Sequence, residues 1–473
     1  MRTIFKHTTL MAALLVAGCG DETFDFSQFQ NAAQQTVPPV AVNDTFAVLG
    51  NGQLTGSVTA NDTLNGALVS QFQNPGTAGG TVQISANGQL TYTPPNGQSN
   101  VVDTFTYTLV NGAGSSLATV TVNVGAQGFF VNNQAVDGGT GSQLQPFNTL
   151  AEAVTAATGV NGAAIVVFRG DGTTTGLDTA VTLTGNQTLS GQDPSNPPLL
   201  TGPIFLGTNN ALTSLNFQGT VPAVVNGTNA VNGTITAVNV TTTGNKAVFL
   251  GDATGTWVIS NSLFANANLG ALDATCSTGT LDWSVLNCTF TNCSTSIVGN
   301  LTSGGSANQI LAVRNNTFNN GRDLEVLITG ASTSTNLTLV MTNNTVNGGG
   351  TALRGLDVLT QNTCNVTVSC HNNTITGCTS NGILVSAQGG ANCAARFNNN
   401  TLTGNDLGGP GASFAGTNNA TAILQLALDG NVADTYVIGS TGTTLENLAT
   451  VATRNVGTSF TLTSLTDGPC PAP

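Results

Sequence analysis

Asn261-Ser262-Leu263-Phe264, Asn287-Cys288-Thr289-Phe290, Asn315-Asn316-Thr317-Phe318, Asn343-Asn344-Thr345-Val346, Asn372-Asn373-Thr374-Ile375 and Asn399-Asn400-Thr401-Leu402 are one motif written again and again. An earlier copy reads Asn186-Gln187-Thr188-Leu189, and weaker copies end at Phe217, Val240 and Val432. Taking the last residue of each copy, the spacings are 28, 23, 24, 26, 28, 28, 29, 27 and 30. Periods of that size belong to solenoids. The Leu-x-x-Leu-x-Leu signature of leucine-rich repeats is missing, as is any 3.6-residue period for a helical array. A parallel β-helix remains. It needs inward apolar residues stacked coil on coil, and the alignment supplies them. Five residues before the anchor stand Ile259, Val285, Val313, Met341, Cys370 and Phe397; seven before stand Trp257, Trp283, Leu311, Leu339 and Val368.

The composition agrees. Only 7% of the residues are charged, while Gly occupies 58 positions and hydrophobic residues make up 40%. Parallel coils place equivalent residues about 4.8 Å apart, where identical charges in register repel. Asn and Thr instead bond their own kind along the stack. The many Asn-x-Thr sequons are therefore read as ladder turns, not as glycan acceptors. The net charge is −13, and the few Lys and Arg residues leave nothing to displace counterions from a phosphate backbone, which argues against a nucleic-acid partner.

Outside the repeat, the first residues are the most legible. Arg2 and Lys6 precede the apolar run Leu10–Val16, which is too short to anchor in a bilayer and carries the flanks of an export signal. Val16-Ala17-Gly18-Cys19 resembles a bacterial lipobox. The resemblance implies a signal peptide over 1–18, a lipid on Cys19, attachment to a membrane through it, and a polar tether over 19–37. Gly20, where an Asp would favour retention, points to the outer membrane or cell surface. The eight later cysteines, Cys276, Cys288, Cys293, Cys364, Cys370, Cys378, Cys393 and Cys470, are even in number. In an exported chain they are disulfide candidates whose pairing the sequence leaves open.

Residues 38–124 alternate with period 2 between turn signals, as in Val82-Gln83-Ile84, Leu90-Thr91-Tyr92-Thr93 and Thr104–Leu109. Pro39…Asn43-Asp44, Ala60-Asn61-Asp62, Thr91-Tyr92-Thr93-Pro94 and Asp103–Tyr107 resemble the cadherin-like, immunoglobulin-like repeats of bacterial surface proteins. The resemblance implies a β-sandwich acting as a spacer or adhesion unit. Asp44, Asp62 and Asp103 are candidate calcium ligands, since hard oxygen donors on loops suit that ion; capping turns is their alternative role. Over 125–160, Thr149 and Glu152 have capping-box spacing, and Leu150, Ala153, Val154 and Ala157 share one helical face. This passage resembles the N-terminal cap of pectin-lyase-like right-handed β-helices. The expected fold is thus all-β: an immunoglobulin-like sandwich, a short capping helix, and a right-handed parallel β-helix over 161–473.

No phosphate loop, H-E-x-x-H or G-x-S-x-G is present. His371, the only histidine beyond the leader, is expected on the solvent side, with Arg314 and Arg396 also outward. Trp257 and Trp283 are expected in the core, and Arg169-Gly170-Asp171 at a turn. One group breaks the no-charge pattern. Aligning Gly321–Val326 with Leu353–Val358 sets Arg322 over Arg354 and Glu325 over Asp357, with both acids outward. Two carboxylates at ladder spacing bind calcium, contact a glycan or act as an acid/base pair; neutralised by the arginines they form a charge-compensated ladder. Neither the acidic calcium cluster with its basic residue that lyases of this group use nor the close aspartates of its hydrolases is complete. The favoured expectation is a non-enzymatic envelope protein for adhesion or polysaccharide binding. A lyase, hydrolase or epimerase acting at Glu325 and Asp357, and a purely structural component, are the rivals.

Overall fold

The computed structural model describes residues 37–470, apart from 243, 245, 302–305, 331–334, 406–413, 420 and 458. The expected signal peptide, the expected lipidation site Cys19 and nearly all of the expected tether lie outside the described residues. The chain divides into two compact units, one built from residues up to Val124 and the other running from Gly125, with 49–52 and 96–100 belonging to the second.

In the first unit, Leu54–Ser57 and Thr81–Ile84 flank Gln89–Thr93 in one antiparallel sheet. Leu68–Phe72, Val101–Asn111 and the strand that starts at Gly114 form the other. Alternation puts Val82, Leu90, Tyr92, Phe105, Tyr107 and Val120 into a shared interior. This is the expected sandwich.

The second unit is a parallel β-solenoid. Its helix, Leu150–Ala157, opens with the capping box at Thr149 and Glu152 and buries Leu150, Ala153, Val154 and Ala157 against the first coils. Each regular coil then contributes three strands. Face A carries strands such as Gly279–Leu286, Ala307–Arg314, Asn336–Thr342, Asn365–His371 and Asn392–Asn398. Face B is a ten-stranded ladder of short strands, among them Thr289–Thr291, Thr317–Asn319 and Thr345–Asn347. Face C carries Lys246–Gly251, Gly270–Cys276, Thr295–Leu301, Leu324–Gly330, Arg354–Thr360 and Ile383–Ala387.

The repeat motif works because its two asparagines do different jobs. The first, at 287, 315, 343, 372 and 399, has φ between 54° and 57°; Asn tolerates this left-handed turn better than most side chains. The second is buried. The amide of Asn344 accepts from the Asn316 N–H at 2.9 Å and donates to the Oδ1 of Asn373 at 2.9 Å and the Val313 carbonyl at 2.9 Å. The same pattern runs on through Asn400 and Asn431 to Asn455. Beside the ladder, Phe264, Phe290 and Phe318 stack at 5.3 and 4.9 Å. Phe290, Phe318, Val346, Ile375 and Leu402 are successive register partners, as are Val285, Val313, Met341, Cys370 and Phe397. Trp257 and Trp283 are register partners and fully buried.

Several expectations need correction. Leu189 is not in the face B column: it pairs with Ile165 and Leu212, and Leu200 lies under Phe217 instead. At the far end Leu402 is followed by Ala433, so Val432 points outward. The eight cysteines are free, buried thiols. Their positions explain this. Cys370 and Cys393 fill inward columns between Met341 and Phe397 and between Val366 and Leu424, while Cys288 occupies the ladder position ahead of Asn316. Each serves as a small apolar filler. Burial pushes the thiols of Cys288 and Cys293 up to about 11 and those of Cys370, Cys378 and Cys393 to about 12.

Candidate functional site

On face C, inward positions are filled by Val248, Leu272, Ile297, Val326, Leu356, Ile383 and Phe414, each the register partner of the last. The residue after each faces outward. That outer column reads Phe249, Asp273, Val298, Leu327, Asp357, Leu384 and Ala415. It is an unusually apolar surface row, and most of its side chains are only partly exposed.

Two ion pairs interrupt it. Lys246 reaches Asp273 at 2.6 Å and lies 3.8 Å from the centre of the Phe249 ring. Arg354 donates to Asp357 at 2.8 Å and to Asn381 at 3.4 Å. Burial raises the carboxyl of Asp357, an effect the Arg354 guanidinium partly offsets. Asp273 and Asp357 stand three coils apart, about 14 Å at the parallel-strand spacing.

Glu325 is not over Asp357, and it does not face solvent. The true register sets Leu324 on Arg354 and Leu327 on Asp357. The turn 348–353 is two residues longer than the turn 320–323, so aligning the apolar runs slipped the coils by two positions. Glu325 sits fully buried at the corner between faces B and C. It accepts from the Ser296 hydroxyl at 2.6 Å and the Gly321 N–H at 2.9 Å. Burial pushes its carboxyl up to about 6, against those two hydrogen bonds. Arg322 is not its partner either: the guanidinium reaches back to the Ala267 carbonyl at 3.0 Å and Asn268 at 2.8 Å. The four-residue charge cluster expected from sequence therefore reduces to the Arg354–Asp357 pair.

The three aspartates of the first unit also separate. Asp103 is satisfied by the N–H groups of Ala78 at 2.7 Å and Gly80 at 2.9 Å, Thr77 at 3.2 Å and Tyr92 at 2.8 Å. Burial alone would raise its pKa, but these bonds outweigh it and hold it low. It braces the sheets and is withdrawn as a calcium ligand. Asp44 and Asp62 do converge. Asp62 accepts from the Val42 N–H at 2.7 Å and from Tyr107 at 2.8 Å. The Tyr107 hydroxyl also faces the carbonyls of Val58 at 2.7 Å and Val42 at 3.3 Å. Asp44 is 8% exposed, and its Oδ2 has no hydrogen-bond partner. Burial, then the charge of Asp62, lifts its carboxyl to about 6. Hydrogen bonds from Tyr107 and Asn61 offset that rise only in part, and a buried carboxylate oxygen without a partner beside a second carboxylate fits a hard cation.

On face A, His371 is half-buried and bonded to Ser369, a partner the sequence did not single out. Strand alternation around the inward Val368 and Cys370 would have placed both on the same outer face. Arg169-Gly170-Asp171 forms an exposed turn in which the Gly172 N–H donates to the Arg169 carbonyl at 3.1 Å.

Residues 37–126 match the family described as the bacterial cadherin-like domain. No curated protein matches the chain. Among solved structures, the chain is similar to the family 28 exopolygalacturonase of Yersinia enterocolitica, at 10% identity over 81% of this chain and 86% of that one, with a TM-score of 0.30. It is also similar to the catalytic unit of the thermostable GH87 α-1,3-glucanase from Streptomyces thermodiastaticus strain HF3-3, at 12% identity over 83% and 80%, with a TM-score of 0.32. Neither likeness transfers a residue or a substrate to this chain.

Proposed function

We propose that this chain is a lipid-anchored cell-envelope protein whose cadherin-like unit serves as a stalk and whose solenoid binds polysaccharide without cleaving it. The outer column of face C carries the reading. Phe249, Val298, Leu327 and Leu384 offer an apolar strip for the C–H faces of sugar rings, and Lys246–Asp273 and Arg354–Asp357 offer charged hydrogen-bonding groups along it. Glycoside hydrolysis by inversion uses carboxyls roughly 6.5–9.5 Å apart, and retention uses closer ones. Among the described residues of the face C outer column, the two carboxylates stand farther apart than either.

Binding to a panel of acidic and neutral polysaccharides tests this, with Leu327→Asp and Leu384→Asp as face variants. Saturable binding lost in both variants supports the reading. Depolymerisation of any glycan that is abolished by Asp357→Asn would replace it with the enzymatic one. The anchor is tested separately: metabolic labelling with an alkyne fatty acid is expected to mark the intact protein and to miss Cys19→Ala.

On the same reading, Asp44 and Asp62 hold calcium, which would neutralise two carboxylates crowded into one recess and stiffen the stalk. Calcium is expected to raise the melting temperature of the protein, with no effect on Asp44→Asn. Equal response of the two proteins would remove the ion from the account.

A further inference from the structure

Within the strand Asn365–His371, Val368 and Cys370 point into the core at 0% exposure, so Ser369 and His371 share the outer surface of face A. The hydroxyl of Ser369 lies 2.5 Å from Nε2 of His371. Although it points outward, Ser369 is 8% exposed. In the next coil, Arg396 is the register partner of Ser369 and Asn398 that of His371. The Arg396 guanidinium pairs with Glu446 at 3.1 Å and donates to the carbonyl of Cys470, which fixes its position in the coil next to the pair.

A hydroxyl bonded to an imidazole nitrogen is the arrangement that activates serine for attack on an acyl carbon. We propose that Ser369 and His371 form a nucleophile–base pair that hydrolyses carboxylic esters. The inference is independent of polysaccharide binding on face C.

The proton of the Ser369 hydroxyl passes to Nε2 of His371 as Oγ bonds to the ester carbonyl carbon. The negative carbonyl oxygen of the tetrahedral adduct develops beside the cationic Arg396. The adduct collapses, the bond to the alcohol oxygen breaks, and the alcohol leaves with the proton from His371. Water then gives a proton to His371 and attacks the acyl-serine. Collapse of that second adduct releases the carboxylic acid and returns the proton to Ser369. The net reaction is ester plus water to acid plus alcohol. The imidazole is suited to the base role because burial and the charge of Arg396 both lower its pKa and keep it neutral near pH 7. Esters are favoured over amides because an alkoxide is the easier leaving group.

The test uses the full chain with a fluorophosphonate probe and with p-nitrophenyl acetate. The expected result is a covalent adduct mapped to Ser369 by peptide mass spectrometry, and ester turnover that falls roughly 100-fold in Ser369→Ala and His371→Gln. Turnover by the native chain should also decline with acidification as His371 takes up a proton. A third variant guards against misfolding: in Ser369→Cys the thiol introduced beside His371 should react with iodoacetamide faster than any of the buried native thiols. An adduct mapped elsewhere, turnover unchanged in Ser369→Ala, or an introduced thiol no more reactive than the native ones would each overturn the proposal.

Discussion

Face B and the corner leading to face C are built from neighbouring residues of the same coils, yet they obey opposite rules. Face B repeats itself: a left-handed asparagine, a buried asparagine, a threonine and an apolar anchor. Each coil satisfies the polar groups of the one before it, as when Asn344 accepts from Asn316 and donates to Asn373. At the corner no such repetition holds. Turn lengths change, a carboxyl is buried at Glu325, and Arg322 reaches back to bond Ala267 and Asn268. Where the sequence is monotonous the coils satisfy one another's buried polar groups, and where the repeat breaks a buried carboxyl is admitted.

The largest effects should come from face B. Asn344→Ala strands buried partners on Asn316, Asn373 and Val313, and unsatisfied buried groups cost about 1–3 kcal/mol each. A loss of about 3 kcal/mol or more is expected in chemical denaturation. Phe318→Ala opens the stacked ring column and should cost about 3–5 kcal/mol in the same experiment. If either loss were below that of a surface Thr→Ala control, the division between the two regions would be wrong.

The corner should respond to pH instead. The folded carboxyl of Glu325 sits near 6, above its usual 4.5. A raised acid binds its proton more tightly when folded, so its contribution is fully present below about pH 4.5 and is lost as pH rises through 6. Above that, the buried charge destabilises the fold by about 2 kcal/mol. Glu325→Gln, which keeps an acceptor for Ser296 and Gly321, should therefore be more stable than the native chain at pH 8. The two should be equal at pH 4, as melting temperatures across pH will show.

The smallest effect belongs to the Arg354–Asp357 pair, which is partly exposed at 24% and 11% for the two side chains. Arg354→Ala should cost about 1 kcal/mol at low salt and less at high salt. A loss as large as that of Asn344→Ala would move this pair into the structural class.

The same contrast governs what the sequence discloses. The column Phe290, Phe318, Val346, Ile375 was readable because anchor and asparagines recur together, and a shift by one residue would turn the row outward. The tryptophans followed from that column. Leu189 was misplaced because Gln187 stands where the buried asparagine should be, and Val432 because it is one residue after Asn431, whereas the anchor position two residues on holds only the small Ala433. Glu325 was set over Asp357 because matching Leu-x-Val runs cannot report two extra residues in the preceding turn. The even cysteine count suggested disulfides, but only the coil geometry reveals that Cys370 and Cys393 have Met341, Phe397, Val366 and Leu424 as neighbours. Ser369 escaped notice because a serine two residues before a histidine is unremarkable until alternation places both on one surface.

Spin labels at Leu263→Cys and Thr401→Cys measure the stack directly, because both positions face outward on face B and lie in register five coils apart. Electron–electron distance measurement should give a narrow distribution centred near 24 Å, five steps of about 4.8 Å, once label length is allowed for. A broad distribution, or one centred far beyond that, would mean that the coils do not lie directly over one another.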